Sequence, residues 1–285
     1  MTPQQVIQDI EQKIAAGFEQ IHGKTIVHTA PHHDDILLGY FPYLLRNLAG
    51  NMHHVVYMTS GANGVSDRYL AEHASMTHEH VAQLDAATKQ ELKYRIREAE
   101  SEKKWALAGG QDHIIIKHVR AEFYEVNEQD MDDAMQRDVQ RMVAYLNAVQ
   151  PDIITMLVDP IGIGPASHHR TEFILRAAIA QCHFSQHVTI IGYRNVWSTF
   201  TCNEASMIVL VTQGELDQME SIFSDCFRTQ VTKLIAGDEL KNFAQEVAEI
   251  QKAQYQEVMN LLGRSAEKYP DYQAAIFLQQ LDNCL

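Results

Sequence analysis

Thr25-Ile26-Val27-His28-Thr29-Ala30-Pro31-His32-His33-Asp34-Asp35-Ile36 begins as a β-branched run and breaks at Pro31 into two histidines and two aspartates. The run reads as a buried strand that ends at the proline. An apolar helical pattern follows at once, through Leu37, Leu38, Phe41, Leu44, Leu45 and Leu48. Two imidazoles and two carboxylates are therefore crowded at the carboxyl end of a strand, where open α/β sheets place their ligands. Adjacent carboxylates repel unless a cation or a proton lies between them, so a bound divalent metal accounts for the cluster economically. A plainer reading competes: one aspartate caps the helix with its side-chain oxygen, beside ordinary loop histidines.

Outward from this stretch, strand and helix patterns alternate. Residues 53–59 read as a second strand, closing in the turn-forming loop Ser60-Gly61-Ala62-Asn63-Gly64. Residues 71–108 are charged and helix-favouring; His73, His78 and His80 lack flanking acids or cysteines and read as solvated helix-face residues. A strand over 112–118 and a helix over 128–148 follow, the latter with Met131, Met135 and Met142 at core spacing. The apolar strand 152–158 then opens into Asp159-Pro160-Ile161-Gly162-Ile163-Gly164-Pro165-Ala166-Ser167-His168-His169, a second loop with histidines at the mouth of a helix. Alternating units of this kind build a parallel sheet with both loops at one edge, so His168 or His169 can join the first cluster. Here too a plainer reading exists, with Ser167 capping the helix and both histidines bystanders. Strands over 188–193 and 207–212, helices over 215–233 and 239–262, and a packed tail from 269, available for an oligomer contact if exposed, complete the expected order. The expected fold is α/β: Rossmann-like, three-layer α/β/α, with a mostly parallel sheet. Residues 1–285 form one domain in this reading, the C-terminal helices from 213 being its extension.

Pro31-His32-His33-Asp34-Asp35 resembles the His-Pro-Asp-Asp signature of the LmbE/PIG-L superfamily of zinc-dependent N-deacetylases, with His33 in place of the usual proline and Ile36 where the family usually carries glutamate. Thr59-Ser60-Gly61 is similar to the family's Thr-x-Gly loop. Arg97-Glu98-Ala99-Glu100, running to Gly109, is similar to its helix bearing an arginine and a glutamate three residues later. The second loop lacks the family's His-Pro-Asp-His run. Gly164-Pro165-Ala166-Ser167-His168 looks more like the Gly-Pro-Asp-Thr-His version in the deacetylase-like domain associated with some glucosamine-6-phosphate deaminases, as does Arg194-Asn195-Val196-Trp197. The resemblance spans residues 24–197. It implies a zinc ion, or another divalent metal, held by His32, Asp35 and His168, with His169 as the alternative third ligand. Asp34 would be the general base, and His169 would assist the oxyanion. The implied substrate is an N-acetylated amino sugar, such as an N-acetylglucosamine derivative or conjugate, with Asn63, Arg97 and Arg194 as hydroxyl or phosphate contacts. Pairing of Arg97 with a neighbouring glutamate on its helix face is the structural alternative. From the residues alone the reading is metal-assisted hydrolysis, against two competitors: a non-catalytic nucleotide- or sugar-binding module, and a hydrolase of another amide.

Composition narrows the partners. The chain has 285 residues, 46% of them hydrophobic and 21% charged, which suits a soluble globule with a sizeable core. A formal charge of −14 and the lack of any lysine or arginine block argue against a phosphate-backbone partner, which needs a basic footprint. Cys182, Cys202, Cys226 and Cys284 are widely spaced and form no Cys-x-x-Cys pair. With a polar, amphipathic N-terminal helix in place of a signal peptide and no apolar run of membrane-spanning length, they read as reduced thiols in a cytoplasmic protein.

Overall fold

The computed structural model describes residues 2–231 and 242–281. Parts of two expected helices (232–233 and 239–241), the end of the tail and Cys284 lie outside the described residues. In chain order the elements are α1 (Pro3–Phe18), β1 (Thr25–Ala30), α2 (Asp35–Arg46), β2 (Met52–Tyr57), α3 (Asp67–His73), α4 (His78–Gln83), α5 (Ala86–Leu107) and β3 (Ile114–His118). They continue as α6 (Met131–Val149), β4 (Ile153–Leu157), α7 (Ala166–Gln181), β5 (Thr189–Tyr193), β6 (Met207–Val211), α8 (Gln213–Cys226), α9 (Arg228–Val231), α10 (Phe243–Leu262) and β7 (Ala274–Leu281).

The seven strands form one sheet in the order β3-β2-β1-β4-β5-β7-β6. The first five are parallel, and β7 runs antiparallel between β5 and β6. Period-2 alternation divides the strands between two cores. Val27, Val56, Ile154 and Ile190 face α1, α6 and α7 on one side, while Ile26, Val55, Ile153 and Ile191 face α2, α8 and the start of α10 on the other. The result is the expected three-layer α/β/α architecture. From β1 the chain winds outward to β2 and β3, then returns to place β4 on the other side of β1. That reversal is the topological switch point, and it opens a crevice at the carboxyl ends of β1 and β4.

Three sequence expectations are corrected. The helical region 71–108 is three helices, because Ser66, Thr77 and Asp85 each accept a backbone N–H (from Tyr69, His80 and Thr88) and start a new one. The tail supplies β7, whose apolar run Ala274–Leu278 is buried. The helix after β1 is kinked: Pro42 has no N–H and its ring crowds the carbonyl of Leu38, and Tyr40 sits at φ −155°, ψ 29°. His73, His78 and His80 are exposed, as expected.

Below the crevice a buried polar chain crosses the sheet. Burial pushes the pKa of His28 and of His53 down, so both rings are neutral and the direction of each bond is fixed. His53 Nε2 donates to Asn47 O (3.1 Å), His28 Nε2 to His53 Nδ1 (2.9 Å), Tyr40 Oη to His28 Nδ1 (2.8 Å) and Thr155 Oγ1 to Tyr40 Oη (2.6 Å). Tyr40→Phe breaks this chain at its centre and is expected to cost about 1–3 kcal/mol, the penalty for orphaning buried polar groups. Urea unfolding checks this; an unchanged midpoint would contradict it.

Candidate metal centre

His32, Asp34 and Asp35 stand where β1 gives way to α2. The turn is anchored by Thr59, whose N–H (3.0 Å) and Oγ1 (2.7 Å) both donate to Pro31 O. Asp35 lies in the first helical turn, where the positive end of the helix dipole favours its anion. Asp34 is at the N-cap position but makes no capping bond, so the plain capping role does not account for it. From the second loop, α7 carries His168 in its first turn. Pro165 occupies the N-cap, and Ser167 bonds His32 Nε2 through its Oγ (3.0 Å) rather than capping the helix.

These segments converge. His168 Nε2 is 3.2 Å from His32 Nδ1 and 3.7 Å from Asp35 Oδ1, and His32 Nδ1 is 3.4 Å from Asp35 Oδ2. Ligand-capable atoms of all three lie within 4.8 Å of one another. The surrounding bonds fix their orientation. Asp159 Oδ2 accepts from His168 Nδ1 (2.7 Å), turning the Nε2 lone pair inward, and Asp159 Oδ1 accepts from Ser198 Oγ (2.7 Å). Asp35 accepts from Asn195 Nδ2 (2.8 Å) and from the backbone N–H of His32 (2.6 Å). Inward lone pairs from two imidazoles and a carboxylate repel one another unless a cation or a proton sits among them, and this donor set suits zinc or a similar divalent ion. Burial alone would raise the Asp35 pKa and lower that of His168. Attraction between the two, with His32 acting on Asp35 and Asp159 on His168, outweighs burial and reverses both directions. Removing the outer carboxylate, Asp159→Ala, is expected to weaken metal affinity about 10- to 100-fold, as competition with a chromophoric chelator would register; unchanged affinity would contradict that role.

The cluster opens onto a cavity of about 290 Å³. Asp34 is on its wall, with Oδ1 accepting from Arg97 (3.1 Å). Arg97 is only 2% exposed; its NH1 is shared between Glu100 Oε2 (2.6 Å) and Thr229 Oγ1 (2.8 Å), and its Nε is buried without a partner. It lines the cavity beside Asp34, and it also makes the helix-face pairing weighed above. Asn63 lines the cavity. Arg194 does not: it donates to Val158 O and Thr199 O, lies over the Phe200 ring, and borders a separate cleft. His169 is also absent from the wall, and its Nε2 is buried without a partner. The two family departures are both buried. Ile36 packs into the core, and His33 packs against the Tyr57 and His118 rings at 4.7 and 5.3 Å, which also touch each other at 5.4 Å. Beneath the loop Lys104 donates to Tyr57 Oη (2.8 Å), and burial pushes its ammonium down to about 7.

Sequence reasoning passed over Asp159, Ser167, Asn195, Tyr124 and Trp197. Asp159 offered a signal, since it follows β4 as His32 follows the turn after β1. The others depend on how loops fold back, which no local pattern records.

Fold and site together define a hydrolytic N-deacetylase with LmbE-like architecture. Residues 27–179, more than half of the chain, match the PIG-L family, described as GlcNAc-PI de-N-acetylase, and the chain belongs to that family. No curated protein sequence matches it. Among solved structures, the fold is similar to N,N'-diacetylchitobiose deacetylase from Pyrococcus horikoshii (TM-score 0.55, 16% identity, covering 91% of this chain and 84% of that one). It is also similar to the zinc-inhibited form of teicoplanin deacetylase Orf2 (0.56, 10%, 91% and 99%). A third likeness is to GalB, the 4-carboxy-2-hydroxymuconate hydratase from Pseudomonas putida (0.56, 14%, 92% and 98%). At such identities these likenesses concern the fold. No helix among the described residues is long and apolar enough to cross a membrane.

Proposed function

We propose that this protein removes the acyl group, an acetyl in the simplest case, from an N-acylated amino sugar or its conjugate, with a divalent metal held by His32, Asp35 and His168. The observation that carries the reading is the convergence of two nitrogens and a carboxylate oxygen beside a second, cavity-facing carboxylate, Asp34. A metal bound there supplies Lewis acidity: it polarises the amide carbonyl and lowers the pKa of water toward neutrality. Asp34 then takes a proton from the attacking water and returns it to the leaving amine, giving a carboxylate and a free amine. Arg97 engages Oδ1 of Asp34, which leaves Oδ2 to carry that proton. Asn195 and Asp159 hold Asp35 and His168 at fixed orientations through the cycle. Asn63 supports recognition of a hydroxyl from the cavity wall.

Turnover of N-acetylglucosamine derivatives that is abolished by a chelator and restored by zinc tests the proposal and separates it from a non-catalytic binding module. A panel of other amides, together with an α,β-unsaturated carboxylate, separates it from a hydrolase of another amide and from water addition of the kind named for the hydratase of similar fold. Metal-dependent turnover confined to those other substrates would overturn it.

A further inference from the structure

We infer that Trp197 is a stacking platform for the ring of a cyclic amino sugar, and that the cavity selects this shape with two unlike flanks. The inference rests on the hydrolytic reading above and adds a specificity-determining residue. The metal-binding cluster stands over β1 and β4, at the middle of the parallel run β3-β2-β1-β4-β5. Asn63 comes from the loop after β2 and Tyr124 from the segment after β3, so the flank on that side is polar. Trp197 comes from the loop after β5, on the opposite side, and meets Phe243 with ring centroids 6.0 Å apart and planes tilted by 58°, so that flank is aromatic. A pyranose has the complementary shape, with one face of C–H groups and an edge of hydroxyls.

The loop that carries the indole is also held in place. Trp197 is 43% exposed, although the other tryptophan of the chain, Trp105, is only 1% exposed. Its loop is fastened on both sides to the carboxylates of the cluster. Asn195, which donates to Asp35, accepts the backbone N–H of Trp197 at 3.4 Å, while Ser198 donates to Asp159. Gly164, at φ +82°, closes in from the second loop; a Cβ there would come within 2.7 Å of Asp159 Oδ2 and 3.5 Å of Trp197 Cβ. A large, flat, apolar surface carried on a loop fastened before the ligand arrives loses little conformational freedom on binding, which is the economical way to recognise a ring.

The test is calorimetric, on zinc-loaded protein carrying Asp34→Asn so that the amide survives. It compares N-acetylglucosamine with its ring-opened reduction product, N-acetylglucosaminitol, which keeps the amide and the hydroxyls but has no ring. The expected result is tighter binding of the cyclic ligand, with Trp197→Ala reducing the ratio of the two affinities about tenfold, as the loss of one aromatic contact implies, and Trp197→Phe retaining most of it. Equal affinities before the change, no binding of either ligand, or a ratio untouched by Trp197→Ala would overturn the inference. Chelator-sensitive hydrolysis by the wild-type protein is scored separately, so the two readings fail independently.

Discussion

Asp34→Asn is expected to lower turnover about 100- to 10,000-fold, the range for removing a positioned general base, while the bound metal stays. The separation follows from geometry. Asp34 is not among the three groups whose ligand atoms converge; it stands beside them on the cavity wall, held by Arg97. Asparagine keeps an acceptor for Arg97 but cannot take a proton from water at neutral pH. Steady-state kinetics paired with metal analysis of the same preparation reads both halves. A variant that kept more than about a tenth of the wild-type kcat would remove Asp34 from the proton transfer.

Arg97→Ala is expected to cost about 3–5 kcal/mol of stability, because it strands two buried carboxylates, and to depress turnover as well. Arg97 is a junction between α5, α9 and the turn that carries Asp34. Glu100 accepts from its guanidinium and also from the N–H (2.8 Å) and Oγ1 (2.8 Å) of Thr229, so losing the cation leaves Glu100 and Asp34 with one partner fewer each. Chemical denaturation measures the first effect. A midpoint shift worth less than about 1 kcal/mol would mean that water or Lys104 replaces the guanidinium without penalty.

The parts legible in the sequence share one property: a local pattern that itself demands burial or charge compensation. The run Thr25–Ala30 followed by paired histidines and aspartates fixed β1 and the crowded turn, and the apolar strand before Asp159 did the same for β4. Alternating strand and helix patterns then implied the parallel sheet and brought the two turns to one edge. What stayed hidden depended on distant partners. Ala274–Leu278 is as apolar as any packed tail, and only its pairing between β5 and β6 makes it a strand. After β5 a single residue step separates Arg194, which turns to Val158 O and Phe200, from Asn195, which reaches Asp35. Sequence identified that stretch but not which of its side chains faced the cavity. Arg97 was found as a residue near the site, yet its burial against Glu100 and Thr229 depends on α9, far along the chain. The caps that split residues 71–108 were readable: Thr77 and Asp85 are both strong N-cap types.

The metal centre is tested most directly by the zinc content of the folded protein, wild type beside Asp35→Ala and His168→Ala, after equilibration with zinc and removal of the excess. The expected result is about one zinc per chain in the wild type and loss of that zinc in both variants, with circular dichroism unchanged. A folded wild type that retains no zinc, or variants that hold it undiminished, would contradict the assignment of His32, Asp35 and His168 as its ligands.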